Sequence, residues 1–166
     1  QRWDGFTSLM CSGVVVNNFT RLGFRVATVP GDWHAKLRAE LETGLSKKLP
    51  TEASIPHIRT DPVHHDHATF HSTSKLNREL LHALQPMHEQ WSGQKLQPVI
   101  AYGLRVYPNG SSLLMHVDKV EDHVVSSIVH VGHDAGSEPW PVTATEPCPH
   151  RRIVLTRNDC RHTGRS

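Results

Sequence analysis

The stretch that decides the fold is Val99-Ile100-Ala101-Tyr102-Gly103-Leu104-Arg105-Val106-Tyr107-Pro108-Asn109-Gly110-Ser111-Ser112-Leu113-Leu114-Met115-His116-Val117-Asp118. Ile100, Tyr102, Leu104 and Val106 are apolar at period two, with Gly103, Arg105 and Tyr107 on the other face, which predicts a strand. Pro108 to Ser111 reads as a turn, because Asn-Gly tolerates the left-handed backbone that a tight hairpin needs. Ser112 to Asp118 then predicts a second strand, on which His116 and Asp118 project from one face. If Asn109 and Gly110 form a two-residue loop, His116 faces Gly103 and Asp118 faces Ala101. Small residues there leave room for a metal, and Arg105 and Tyr107 share that face.

An imidazole and a carboxylate side by side can take adjacent positions on one divalent cation. With one further His they make a facial triad whose open positions suit Fe(II) chemistry. A His-x-Asp pair is common by itself. The apolar strand, the Asn-Gly turn and the strand that follows give this one its weight.

Downstream, His123 to Val131 is apolar on both faces, as a strand inside a covered sheet should be. Trp140 to Thr143 and Arg152 to Leu155 suggest a fourth and a fifth strand. Upstream, Leu22, Phe24, Val26 and Thr28 share a face of a further strand, closed by Pro30-Gly31. Asp32 is a suitable N-cap for a helix carrying Trp33, Leu37, Leu41 and Leu45, ending near Lys47 and Lys48. Residues 49 to 71, with Pro50, Pro56 and Pro62, read as a loop. Leu76, Leu80, Leu81, Leu84, Met87 and Trp91 mark a second helix from Ser74 to about Trp91. Pro86 should kink or split it, and Gly93 should end it. The expected fold class is therefore α+β. Residues 1–97 form a mainly helical support, and residues 98–166 form the β-rich part that carries the metal site, within one structural domain.

Composition fits one domain, or part of one. The 166 residues are 37% hydrophobic and 20% charged, with a net charge of +2. That balance gives no reason to invoke nucleic acid or an anionic membrane, and no apolar run approaches the length of a membrane helix. Three cysteines are too few and too scattered for a disulfide framework. The 14 histidines stand out. His64, His65, His67 and His71 could hold Zn(II) or Cu(II), with Asp61 and Asp66 helping, although a solvated polar loop is the favoured reading. His123, His130 and His133 lie near the third strand, where they could support an iron site or simply pack.

The run Arg105 to Asp118 resembles the prolyl 4-hydroxylase type of 2-oxoglutarate/Fe(II)-dependent dioxygenases. Tyr107, Gly110 and His116 keep that family's spacings. Val106 is inserted between the Arg and the Tyr, and Leu113 stands where many members have a second Tyr. Ser126 to Val131 and Glu138-Pro139-Trp140-Pro141 are similar to one branch of it. The resemblance implies a double-stranded β-helix (jelly-roll) with flanking helices, Fe(II) and 2-oxoglutarate, with ascorbate as a further cofactor. It implies hydroxylation of an unactivated C–H bond in a peptide or small molecule, peptidyl proline included, with release of succinate and CO2. His116 and Asp118 are then the iron ligands and catalytic centre, His162 is the third metal ligand, and Tyr107 and Arg165 contact 2-oxoglutarate.

After Val142 the chain departs from that pattern. The apolar strand and the His-Gly-Arg that normally supply the third ligand are absent. Either the tail is a divergent end completed by His162, or the chain is a truncated, non-catalytic jelly-roll that serves as a binding or scaffold protein or is a gene fragment. Compartment and oligomeric state are not legible in the sequence.

Overall fold

A computed structural model describes residues 19–20, 23–52, 55, 58–59, 67–114 and 123–137, together with the backbone of 152–156. Among the described residues, two helices and seven short strands form a mixed α/β arrangement. The strands are β1 (Phe24–Thr28), β2 (Ile58–Arg59), β3 (Thr69–His71), β4 (Leu104–Val106), β5 (Ser112–Leu113), β6 (Ser126–Val129) and β7 (Arg152–Thr156). The helices are α1 (Trp33–Leu45) and α2 (Ser74–Ser92). The described strands do not close into a barrel. They form a three-stranded sheet ordered β1-β7-β6 and two antiparallel pairs, β2-β5 and β3-β4.

The three-stranded sheet is parallel throughout. Phe24 and Ser126 both stand level with Arg152, so β7 is the centre and β1 and β6 are its edges. Parallel neighbours require long crossover connections. Here the first and last described strands lie side by side.

β1 shows the opposite face to the one the period-two pattern selects. Phe24 and Val26 are 41% and 46% exposed, whereas Ala27 packs against the core and Val29 is buried. The chain turns at Pro30-Gly31, where Gly31 adopts φ 60°, and enters α1 at once. Leu37 of α1 and Val29 belong to the same core cluster, on the Ala27 side of the strand.

α1 follows its apolar stripe for three turns. Leu37 is 2% exposed, with Trp33 and Leu41 partly buried beside it, and Leu45 falls off the stripe. Asp32 occupies the cap position, but its carboxylate makes no capping bond. It pairs instead with Lys36 Nζ at 3.1 Å. The helix ends at Leu45, ahead of Lys47 and Lys48, so those charges lie past its last turn.

α2 matches its predicted limits. Asn77, Leu80, Leu84, His88 and Trp91 are buried at spacings of three and four, one face of a helix. The helix runs unbroken through Pro86. An interior proline costs about 3 kcal/mol. Burial of Leu80 and Leu84 before it and of Trp91 after it offsets that, since each large apolar side chain contributes about 1.5–3 kcal/mol. Gly93 closes the helix at φ 67°, its N–H donating to the Glu89 carbonyl. Leu104 of β4 completes the core, and Val125, Val129 and Val131 flank it. Among the described residues no helix is long and apolar enough to cross a membrane.

Three further expectations change. Residues 49 to 71, read as a loop, contain β2 and β3 and a bridge between Thr51 and Thr69. The strand expected over Val99 to Tyr107 is confined to Leu104–Val106. The Pro108–Ser111 turn is present, with the Ser111 N–H donating to the Pro108 carbonyl at 3.2 Å and Gly110 at φ 75°. Yet the strands on either side of it do not pair with each other. β4 takes β3 as its partner and β5 takes β2, each antiparallel. A two-residue loop can join partners, but only the local sequence favours that pairing. The 50–71 segment supplies competing edges for both strands.

Candidate functional site

Tyr107 follows β4 directly, and its surroundings are built by a small antiparallel layer. Residues 50–52 run along β3, with the Glu52 N–H donating to the Ala68 carbonyl and the Phe70 N–H to the Pro50 carbonyl. On its other side β3 pairs with β4, Phe70 opposite Arg105 and His71 opposite Leu104. The strand period then sets Glu52, Ala68, Phe70, Arg105 and Tyr107 on one face and His71 and Leu104 on the other.

Arg105 is the centre of the first face. Its Nε and Nη2 donate to Oε2 and Oε1 of Glu52 at 2.5 and 3.0 Å, a two-pronged grip on one carboxylate. Nη1 donates to the Tyr107 hydroxyl at 3.5 Å. The guanidinium carbon lies 6.0 Å from the Phe70 ring centroid. Glu52, and then Tyr107, raise the Arg105 pKa further above its ordinary value, against the opposing effect of burial. The sequence places Arg105 and Tyr107 on one face, and so they stand. Glu52 neutralises the Arg105 guanidinium there. Glu52 was not singled out from sequence. It lies 53 residues from Arg105, in a segment without periodicity.

The room expected at Gly103 is also taken. A Cβ there would overlap the His71 carbonyl oxygen and come within 2.9 Å of the Phe70 ring. Glycine at 103 thus admits β3 rather than a metal.

The opposite face holds a second polar contact. His71 Nε2 lies 2.8 Å from Glu40 Oε1 of α1, with the His71 side chain 13% exposed. His71 therefore ties a strand to a helix, and the solvated-loop reading of the His64–His71 cluster does not extend to it. His64 and His65 lie outside the described residues. His130 and His133 form another pair, Nε2 to Nδ1 3.4 Å, and His123 stacks on Tyr102 at 5.8 Å between centroids. His88 is different again. It is buried on α2, its Nε2 has no hydrogen-bond partner among the described residues, and burial lowers its pKa.

His116, Asp118, His162 and Arg165 lie outside the described residues. Among the described residues no three His, Cys, Asp or Glu side chains stand close enough to hold a metal ion. The donor set expected at 116 and 118, neutral imidazole with carboxylate, is chemically suited to Fe(II). No family model matches this chain, and no curated protein or solved structure matches it either.

Proposed function

We propose that the chain is an Fe(II)/2-oxoglutarate-dependent dioxygenase of the prolyl 4-hydroxylase type. The observation that carries this is the spacing of Tyr107, Gly110, His116 and Asp118 in the sequence; the Pro108–Ser111 turn within it is formed, although its flanking strands pair elsewhere. His116, Asp118 and His162 hold the iron, and Tyr107 and Arg165 contact 2-oxoglutarate. When bound, the iron would supply oxidative decarboxylation of 2-oxoglutarate by O2, one oxygen atom going to succinate with release of CO2 and the other hydroxylating a C–H bond in a peptide or small-molecule substrate. Ascorbate is the accompanying reductant. On the protein's side, Tyr107 contributes a hydroxyl held in position by Arg105, whose own charge is spent on Glu52. The reading carries with it a jelly-roll. The antiparallel pairs β2-β5 and β3-β4 fit that architecture, and the parallel β1-β7-β6 sheet does not.

That parallel sheet, with the Glu52–Arg105 pair, favours a second reading: a non-catalytic binding or scaffold protein that retains the motif of a truncated jelly-roll. Anaerobic binding of Fe(II) and 2-oxoglutarate, followed by admission of oxygen, separates the two. The enzyme reading expects one iron per chain and succinate release, both lost in His116→Ala. A folded chain that binds neither iron nor 2-oxoglutarate overturns it in favour of the second.

A further inference from the structure

An open groove of about 370 Å³ lies between the first half of α2 and the segment 99–103, with Phe70 at one wall. That volume falls within the range of small-molecule sites. Ser74, Asn77, Arg78 and Leu81 line it from the helix, at the spacing that puts all four on one side. Val99, Ile100 and Tyr102 line it from the other wall. These three are 57%, 44% and 62% exposed, a largely open apolar surface on which His123 covers one face of the Tyr102 ring.

The polar part of the groove has one sign. Among the described residues Arg78 is the sole charged residue of the lining, with no described carboxylate opposite it. Among the described residues it makes no ion pair. The positive end of α2 adds to it. Thr73 holds the cap position without a side-chain capping bond, and the first turn contains no acid. Asn77 is 9% exposed, and its Oδ1 already accepts from the Thr73 hydroxyl at 2.5 Å. Its amide nitrogen is left as a donor, beside the hydroxyls of Ser72 and Ser74.

We infer that this groove binds a small monocarboxylate with an apolar body, such as a medium-chain fatty acid. The carboxylate is received by Arg78 and the Asn77 amide, and the chain lies along Leu81, Ile100 and Tyr102. A neutral ligand of the same shape leaves Arg78 unused, and a dianion meets only one cation. The inference rests on the groove alone and not on the iron chemistry.

Decanoate, titrated below its micellar concentration and followed by calorimetry and by the ring resonances of Phe70 and Tyr102, tests it. The expected result is saturation at one decanoate per chain, with both rings shifting. Decanol should bind about tenfold more weakly. Arg78→Gln should weaken decanoate by about tenfold and leave decanol unchanged. Arg78 is exposed, so the variant keeps its fold. Lys75→Gln removes the same charge from a residue outside the groove and should change decanoate binding by less than about twofold. The inference is overturned if decanoate does not saturate, if decanol binds as tightly, or if the two variants lose affinity equally.

Discussion

The imidazole of His71 lies 2.8 Å from the Glu40 carboxylate and rests directly against Gly44, one helical turn further along α1. A Cβ on residue 44 would come within 2.6 Å of the His71 ring. One side chain on β3 thus fixes both the rotation and the height of α1.

This contact reverses the usual effect of replacing a helical glycine. Gly to Ala in a helix interior ordinarily gains about 1 kcal/mol. At Gly44 the new methyl must displace the ring, and overpacking of this kind costs about 1–3 kcal/mol. Gly44→Ala is therefore expected to lower the urea midpoint. In a His71→Ala background the same change should raise it. A stabilised single variant would show that the ring moves aside freely.

The Glu52–Arg105 pair holds residues 50–52 against β4 across β3. Both side chains are partly buried, so removing one partner strands the other. Glu52→Gln and Arg105→Ala should each cost about 1–3 kcal/mol in chemical denaturation. Arg105→Lys should recover little, because an ammonium cannot grip both carboxylate oxygens. Full recovery with lysine would mean that charge alone matters there.

Glu89 closes the C-terminal turn of α2. Its Oε1 accepts from the Leu96 N–H and Gln85 Nε2, and its Oε2 from Lys95 Nζ. The Leu96 N–H first, then Gln85 and Lys95, pull its pKa down from 4.5 to about 2. A lowered carboxylate pKa means that the unfolded chain takes up the proton first. The contribution is present above the unfolded value and is lost as pH falls from 4.5 towards 2. Stability measured across that window should fall less steeply in Glu89→Gln than in the parent. Parallel profiles would remove Glu89 from the acid response.

His88 acts in the next window up. Burial lowers its pKa, so the unfolded state binds a proton that the folded state refuses. Stability is expected to fall as pH drops below about 6.5, the ordinary histidine value. His88→Leu removes both that dependence and the buried Nε2, which no described residue satisfies and which costs about 1–3 kcal/mol. The variant should be more stable than the parent at pH 5 and should show a flatter profile between pH 7 and 5. A destabilised variant would reveal an unseen partner for the ring.

The parts of this fold that were legible in the sequence are those governed by neighbours. The stripe at Leu37 and Leu41, and that at Leu80, Leu84 and Trp91, locate both helices because a helix repeats within four residues. Gly93 and the Asn109-Gly110 turn were legible for the same reason. Strand partnership is a competition between distant segments, and nothing near Leu104 or Ser112 announces that β3 and β2 win it. The face that β1 buries does not follow from its larger apolar residues, Phe24 and Val26, because the core lies on the side of Ala27. At the candidate site, the common face of Arg105 and Tyr107 followed from period two. Glu52 did not, because the bridge that brings it there joins segments without pattern.

The central position of β7 sets an order on biogenesis. On a ribosome, β1 emerges long before β6, and each finds its hydrogen-bonding partner only when Arg152–Thr156 has been made. Helices α1 and α2 can form and meet long before that. The nascent chain must therefore carry β1 without its partner while everything between it and Arg152 is made, and β6 only over the shorter stretch from Val129 to Arg152. Such non-local closure is slow and open to wrong partners. A polypeptide with this layout has reason to lean on a holdase chaperone until its last described strand arrives.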